Sequence, residues 1–323
     1  MKLAVFSPVL HRFKDGPKIE TFEDAVRYLK SIGVNSIELE AGAYNGDGFC
    51  NCKDYLDHPE KIENLKAFLI ENDFTISALS CHGNPVSPDK ADAKKCDEDF
   101  DNAVLLAEKL GIDTIVCFSG CAGDNPDAKY PNWIVCSWPE PFKEALDWQW
   151  NEVLIPYWKK KAEFCASHGV KVAIEMHPGF MVYNPPTLMK LRKAVGDTIG
   201  ANVDPAHFFW QGIKPVEAIK YLGRENAIYH FHAKDTRMDE ANCSIKGVLD
   251  TESTDYLEKS FSACTPGCGH DEKEWTDMIR ALHLVGYSGA ISLENEDLVF
   301  DRRRGVEKGI DFLRKIVSAF KEN

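Results

Sequence analysis

The chain has 323 residues, of which 44% are hydrophobic and 28% charged, and these fractions are ordinary for a globular protein. A formal net charge of −13 makes nucleic acid and anionic membrane surfaces poor partners, because both are themselves negatively charged. The sequence has no apolar run long enough to span a membrane, and its start reaches Pro8 and His11 too soon for a signal peptide. We therefore predict a cytoplasmic protein whose 11 cysteines are reduced thiols.

One local pattern recurs along the chain: a helix, a glycine and a short strand. Apolar residues from Phe22 to Ile32 are spaced for one helix face, and Gly33 suits the left-handed conformation that ends such a helix. The β-branched segment that follows is predicted to be a strand. In chain order, strands are predicted at residues 3–6, 34–40, 74–79, 112–118, 170–174, 199–203, 227–232 and 290–293.

Eight strands alternating with helices are typical of a (β/α)₈ barrel. We therefore predict a single TIM-barrel domain over residues 1–323. A doubly wound open sheet would also alternate strands and helices. However, the sequence has neither a Gly-x-Gly-x-x-Gly motif after the first strand nor a phosphate-binding loop, which favours the barrel.

Polar side chains follow the predicted strands where a barrel enzyme places its chemistry. Glu175, Asp204, His232 and Glu294 lie at the ends of four consecutive strands, so their side chains can converge. Burying several carboxylates costs several kcal/mol each unless something compensates, and a divalent cation is the simplest compensation. Three carboxylates and one imidazole suit Mn²⁺ or Mg²⁺, with Co²⁺, Fe²⁺ or Zn²⁺ left open.

Several neighbouring residues have simpler interpretations. For Glu296, an ion pair with a nearby lysine is as good an explanation as a functional role. His230 and His232 share a strand, and we expect only one of them to face the barrel interior. Cys264, Cys268 and His270 are interpreted as parts of a loop, because a fourth zinc ligand is not evident.

Two insertions are long. The aromatic segment from Trp133 to Trp158 fits helix packing against the barrel, and it also fits a wall over a sugar pocket; both interpretations can hold for different residues. The stretch from Met238 to His270 is predicted to be a long loop.

The most specific segments are Ile-Glu-Met-His-Pro-Gly at 174–179, Asn-Val-Asp-Pro-Ala-His at 202–207, His-Phe-His-Ala-Lys-Asp at 230–235 and Ser-Leu-Glu-Asn-Glu-Asp at 292–297. In these segments the chain resembles the xylose isomerase-like barrel superfamily, in its sugar phosphate isomerase/epimerase branch. That branch includes ketose 3-epimerases, inosose dehydratase, hydroxypyruvate isomerase and, more distantly, endonuclease IV. The resemblance covers nearly the whole chain.

The resemblance implies the same metal ligands, Glu175, Asp204, His232 and Glu294, and it implies that Glu175 and Glu294 act as acid and base on opposite faces of the substrate. It further implies substrate contacts from the residues His82, His177, His207 and Arg237. The spacing around Arg237 differs from that in the epimerases. His177 or His82 is a rival base.

The function predicted is a metal-dependent sugar isomerase or epimerase that moves a proton next to a carbonyl. The alternative is a lyase or dehydratase acting on a keto-sugar, a keto-inositol or a 3-keto-glycoside by β-elimination, and the long stretch after Met238 favours it. A non-catalytic sugar-binding protein is the third reading. Endonuclease activity is disfavoured because the Asp-x-His pair expected after the seventh strand is absent. Phosphorylation of the sugar and formation of a homo-oligomer are left open.

Overall fold

A computed structural model describes residues 1–13, 18–252 and 254–320 of the protein. The strands in these residues are β1 (Lys2–Phe6), β2 (Ser36–Glu40), β3 (Thr75–Ser80), β4 (Thr114–Cys117), β5 (Lys171–Glu175), β6 (Ile199–Val203), β7 (Ile228–Ala233), β8 (Asp235–Met238), β9 (Phe261–Cys264) and β10 (Ala290–Leu293). The closed barrel has the order β1-β10-β7-β6-β5-β4-β3-β2. The chain is thus a single (β/α)₈ TIM barrel, and the predicted strands are confirmed with ends shifted by at most two residues.

The α-helices of the described residues are α1 (Phe22–Ser31), α2 (Cys52–Asp57), α3 (Pro59–Glu71), α4 (Lys90–Leu110), α5 (Glu140–Trp148), α6 (Ile155–Ser167), α7 (Pro185–Val195), α8 (Pro205–Phe209), α9 (Pro215–Gly223), α10 (Glu240–Lys246), α11 (Glu272–Leu284) and α12 (Arg302–Val317). Short 3₁₀ helices occupy Ser7–Arg12 and Ala43–Asn45, and a π-helical stretch occupies Gln149–Leu154. Within the described residues, no helix has the length and apolar character needed to cross a membrane.

Local sequence signals explain where the helices begin and end. At the start of α1, Thr21 and Asp24 form a capping box, in which each side chain accepts a hydrogen bond from the other residue's backbone N–H. The long helix α4 starts at the Asp89 cap and ends at Gly111, whose φ of 73° is left-handed. Glycine adopts this conformation easily because it has no Cβ atom, which explains why a glycine recurs between a helix and the following strand in the sequence.

Backbone packing divides the chain into two compact units. The first comprises Met1–Ile37, Val203–Asn226 and Phe231–Asn323, and the second comprises Glu38–Asn202 and Ala227–His230. In the first unit, β10 pairs in parallel with β1 and with β7. In the second unit, β4 pairs with β3 and β5, and β5 pairs with β6.

The aromatic insertion lies in the second unit, and its residues divide by burial. Trp150 and Trp158 are buried, and the indole N–H of Trp158 donates to the carbonyl of Ser119 at 2.9 Å. Trp138 is 79% exposed. The helix-packing interpretation therefore holds for Trp150 and Trp158, whereas Trp138 is available to solvent.

The stretch from Met238 to His270 is not one long loop, and that prediction is wrong. It contains α10 and β9, and β9 pairs with β8 as a two-stranded antiparallel ribbon. Two aromatic stacks join this ribbon region to the α8 region: Phe209 lies 3.4 Å from His270 and Trp210 lies 4.3 Å from Phe261, measured between ring centroids. The insertion is thus anchored beside the short helix α8.

Asp235, at the start of β8, is fully buried and organises the turn that follows β9. One carboxylate oxygen accepts hydrogen bonds from the backbone N–H groups of Gly267, Gly269 and His270 at 3.0 to 3.1 Å. The other oxygen is 2.8 Å from Nδ1 of His270. The loop interpretation therefore holds for Cys268 and for His270, which is paired with Asp235, but it is wrong for Cys264, which is the last residue of β9.

The Gly200→Ala variant is expected to be less stable by about 1–3 kcal/mol, because added volume in a packed site forces its neighbours to move. A Cβ at Gly200 would lie 2.4 Å from the Tyr229 ring, and Arg192 holds that tyrosine through its hydroxyl at 2.8 Å. Denaturant unfolding measures the change. In a Tyr229→Ala background the same substitution should cost less; an equal cost in both backgrounds would show that the ring is not the obstacle.

The Asp235→Asn variant is expected to loosen residues 267–270, because an amide offers one acceptor oxygen where the carboxylate has two. A buried N–H left without its acceptor costs about 1–3 kcal/mol. Amide hydrogen exchange should accelerate at Gly267, Gly269 and His270. Asp271→Asn is the matched control, since Asp271 caps α11 and asparagine caps equally well; similar exchange in both variants would refute the role of Asp235.

Candidate functional site

Four buried polar side chains lie at the C-terminal ends of neighbouring barrel strands. Glu175 ends β5, Asp204 follows β6, His232 lies in β7 and Glu294 follows β10. Their residues are 0 to 8% exposed. Each offers one ligand atom, and these atoms all lie within 4.8 Å of one another. The four residues singled out as metal ligands in the sequence are therefore brought together.

Glu175 is held by two donors from the second unit. The β5–β6 register places Asn202 beside it, and the Asn202 amide donates to Oε2 of Glu175 at 3.0 Å. Nε2 of His82 lies 3.1 Å from the same oxygen. Both contacts converge on one carboxylate oxygen, which fixes the rotation of the carboxylate.

Asp204 is oriented by the helix that it caps. Its Oδ1 accepts the backbone N–H of Ala206 at 2.8 Å, and Pro205 begins α8 with the backbone angle that a first helical residue needs. Oδ2 of Asp204 lies 3.3 Å from Nε2 of His207. The predicted substrate residue His207 is buried and contacts one of the four clustered residues.

Glu294 lies between an imidazole and an ammonium group. Its Oε2 is 2.9 Å from Nδ1 of His232, and its Oε1 accepts a hydrogen bond from Nζ of Lys234 at 2.8 Å. Nζ of Lys234 is also 2.7 Å from Oε2 of Glu296, so Glu296 does form an ion pair with a nearby lysine. The ring of Phe6 stacks against His232 at 5.4 Å.

The expectation that only one of His230 and His232 faces the barrel interior is wrong, because residues two apart on a strand point to the same face. His230 is 2% exposed, and its Nε2 lies 2.9 Å from Oε2 of Glu38. The other oxygen of Glu38 accepts a hydrogen bond from the Ser80 hydroxyl. Ligand atoms of Glu38, His230 and His232 also lie within 4.8 Å of one another, as a second group.

The other two predicted substrate residues are less enclosed. His177 is partly buried, with Nδ1 at 2.5 Å from the carbonyl of Pro178 and its ring 5.1 Å from that of Phe118. Arg237 is exposed on β8. Strand alternation puts Arg237 on the opposite face from Thr236, whose hydroxyl donates to the carbonyl of Ala206 at 3.3 Å.

Sequence reasoning did not assign roles to Asn202, Lys234 or Glu38. Asn202 and Lys234 stand two residues from Asp204 and His232, inside the segments already singled out, so strand alternation could have found both. Glu38 could have been found in the same way, as the central inward position of β2.

The donor set fits a divalent cation. Three carboxylates buried within a few ångströms repel one another, and a cation of charge two removes most of that repulsion. Oxygen donors with one imidazole nitrogen match the ligands of Mn²⁺, Mg²⁺ and their neighbours. The buried group is therefore one that could hold a divalent metal ion.

Among solved structures, the fold is similar to that of the probable 3-DHS dehydratase AsbF from Bacillus anthracis, at a TM-score of 0.67 and 17% identity over 97% of this chain and 99% of that one. The structure of the IOLI protein, solved with a bound zinc atom, matches with a TM-score of 0.67 and 16% sequence identity, and the match covers 100% of both chains. The structure of a D-tagatose 3-epimerase-like protein matches with a TM-score of 0.64 and 20% sequence identity, and the match covers 99% of both chains. At these identities the likeness shows a shared fold.

Two comparisons of sequence cover most of the chain. Uncharacterized protein YfiH of Bacillus subtilis (strain 168) is 36% identical in an alignment of 304 residues that covers 92% of this chain and 95% of that protein. The family model of the xylose isomerase-like TIM barrel matches residues 26–316. The chain therefore belongs to the xylose isomerase-like TIM barrel family.

Proposed function

We propose that the protein is a divalent-metal-dependent sugar isomerase or epimerase, which moves a proton at a carbon next to a carbonyl group. The observation that carries the proposal is the buried group of Glu175, Asp204, His232 and Glu294, with its ligand atoms within 4.8 Å of one another. Membership of a family whose structural neighbours include an epimerase-like protein and a dehydratase supports an enzyme of this class.

The four residues would hold the metal, which we propose to be Mn²⁺, with Mg²⁺, Co²⁺, Fe²⁺ and Zn²⁺ as alternatives. When bound, a divalent cation polarises a substrate carbonyl and lowers the energy of the negative charge that develops on its oxygen. The zinc atom bound to the IOLI protein supports a divalent ion in this fold.

Glu175 and Glu294 are proposed as the groups that take and return the proton. A general base must be held within hydrogen-bonding reach of the carbon-bound proton, and its carboxylate must not rotate away. Asn202 and His82 hold Oε2 of Glu175, and Lys234 holds Oε1 of Glu294. Each proposed acid or base is thus fixed at one oxygen by neighbours from its own unit.

The proposed substrate contacts are His82, His177, His207 and Arg237, which would bind sugar hydroxyl and carbonyl oxygens. Burial and proximity to Asp204 support His207 most strongly. His82 already contacts Glu175, so its ring would orient that carboxylate as well as the sugar. Arg237 is exposed, and it would have to reach the substrate from the ribbon.

A lyase is the second candidate, and the ribbon insertion favours it. After a proton leaves the carbon next to a carbonyl, its return to the other face gives an epimer, its transfer to the adjacent carbon gives an isomer, and loss of a β-substituent gives elimination. The segment from β8 to β9, with α10 between them, is long for an element that only closes a small sugar site. A non-catalytic sugar-binding protein is disfavoured, because sugar binding alone does not need three buried carboxylates.

Incubation with candidate sugars in ²H₂O, with Mn²⁺ added, tests proton transfer directly. The panel comprises free and phosphorylated ketoses, an inosose and a 3-keto-glycoside. A substrate should gain deuterium at the carbon next to the carbonyl, and mass spectrometry of the products separates isomerisation from elimination. Sugars that bind without gaining deuterium, and without reacting, would support the sugar-binding alternative.

The Glu294→Gln variant is expected to lose metal, because an amide is a weaker ligand than a carboxylate. Elemental analysis of untagged protein should find about one metal per chain in the wild type and at least tenfold less in the variant. Glu296→Gln is the matched control, since its side chain is 42% exposed and it is not one of the four clustered residues. Full metal content in both variants would overturn the ligand assignment.

Replacing Arg237 by Ala should raise KM about tenfold and leave kcat and metal content nearly unchanged, because an exposed side chain outside the metal cluster would contribute binding rather than chemistry. Replacing His207 by Ala, a buried group beside Asp204, should lower kcat instead. Steady-state kinetics on the substrate identified in ²H₂O separates the two. Unchanged KM in Arg237→Ala would remove this residue from the substrate site.

A further inference from the structure

We propose that Lys234 is a positioning residue for the metal site: it fixes the Glu294 carboxylate and compensates the site's excess negative charge. The inference rests on the proposed function, because it assumes that Glu175, Asp204, His232 and Glu294 bind a divalent cation.

The strand register explains why Lys234 meets Glu294. In the β7–β10 pair, Ala233 lies opposite Leu293, and each is the last residue of its strand, so Lys234 and Glu294, which follow directly, lie side by side. The extended backbone continues for one residue past β7, so Lys234 lies on the same face as His232, and both side chains contact Glu294. The ammonium lies 2.8 Å from Oε1, and Nδ1 of His232 lies 2.9 Å from Oε2.

These two contacts bracket the Glu294 carboxylate. One oxygen is engaged by the lysine, and this leaves the Oε2 edge directed toward His232, where the other clustered ligand atoms lie. Partners that orient a metal ligand typically change metal affinity by about 10–100-fold when they are removed. Lys234 is placed to act in this way.

Charge balance gives an independent reason. Three carboxylates exceed a divalent cation by one negative charge, and a net charge buried at a barrel mouth is costly. Lys234 is itself 6% exposed, so its positive charge is little screened by water and brings the buried set to neutrality. Glu296, at 2.7 Å from the ammonium, has a 42% exposed side chain, and solvent carries much of its charge.

Mn²⁺ binding to the metal-stripped, full-length chain tests the proposal, with the dissociation constant measured by titration calorimetry. Lys234→Met should raise the Kd by about 10–100-fold. Lys234→Gln is made in parallel, because its amide keeps a donor toward Glu294 and protects folding, and loss of the charge should still raise the Kd about tenfold. Lys234→Arg keeps the charge and should lie between Lys234→Met and the wild type.

Lys161→Met is the matched control. Nζ of Lys161 also bridges two carboxylates, those of Asp97 and Asp101, at 2.7 and 2.6 Å, but none of these belongs to the clustered residues. This variant should lower the melting temperature and leave the Kd for Mn²⁺ unchanged. If the loss of any lysine bridge between two carboxylates were enough, the Kd for Mn²⁺ would rise in Lys161→Met as well. A positioning role raises the Kd only in the Lys234 variants.

Two further outcomes distinguish a failure of the proposed role of Lys234 from a failure of the proposed metal-ligand set. If Glu294→Gln loses Mn²⁺ while Lys234→Met and Lys234→Gln bind it as tightly as the wild type, the role of Lys234 is refuted and the proposed ligand set stands. If Glu294→Gln itself binds Mn²⁺ as tightly as the wild type, the proposed ligand set fails, and the inference fails with it.

Discussion

Burial of like charges is the constraint on which this structure depends. Glu175, Asp204 and Glu294 are nearly inaccessible to water and lie within a few ångströms of one another, and carboxylates so placed repel strongly in a medium that screens little. Such a set persists only if positive charge and hydrogen-bond donors are supplied nearby. The chain provides donors from Asn202 and Lys234, and the negative charge that remains is the reason for proposing a divalent cation there.

The barrel fold brings the clustered residues and their hydrogen-bond donors together. Parallel strands end at one edge, so a polar residue at the end of each of four strands suffices to assemble the group. The supporting contacts come from the same geometry: Asn202 faces Glu175 through the β5–β6 register, and Lys234 faces Glu294 through the β7–β10 register. Asp204 is held differently, by capping α8, which also presents His207. The proposed ligands and the groups that orient them therefore follow from strand register and one helix cap.

Much of this was predictable from sequence, for physical reasons. Glycines such as Gly111 end helices in a left-handed conformation just before β-branched runs. The position of each such glycine therefore indicates where the next strand begins, and the β-branched run indicates where it ends. The paired β8 and β9 ribbon was not predictable, since its strands are four residues each and more than twenty residues separate them, so no local period announces the pairing. The inward position of His230 was predictable, because it stands two residues from His232 on β7 and so points to the same face.

The central claim is that one divalent metal ion binds where Glu175, Asp204, His232 and Glu294 converge. Anomalous diffraction from crystals grown with Mn²⁺, recorded on both sides of the manganese absorption edge, tests it most directly. We expect one strong anomalous peak within about 2.0–2.3 Å of a ligand atom from each of the four residues. A peak on Glu38 and His230 instead, or on the Cys264, Cys268 and His270 turn, or no peak in well-ordered crystals, would contradict it.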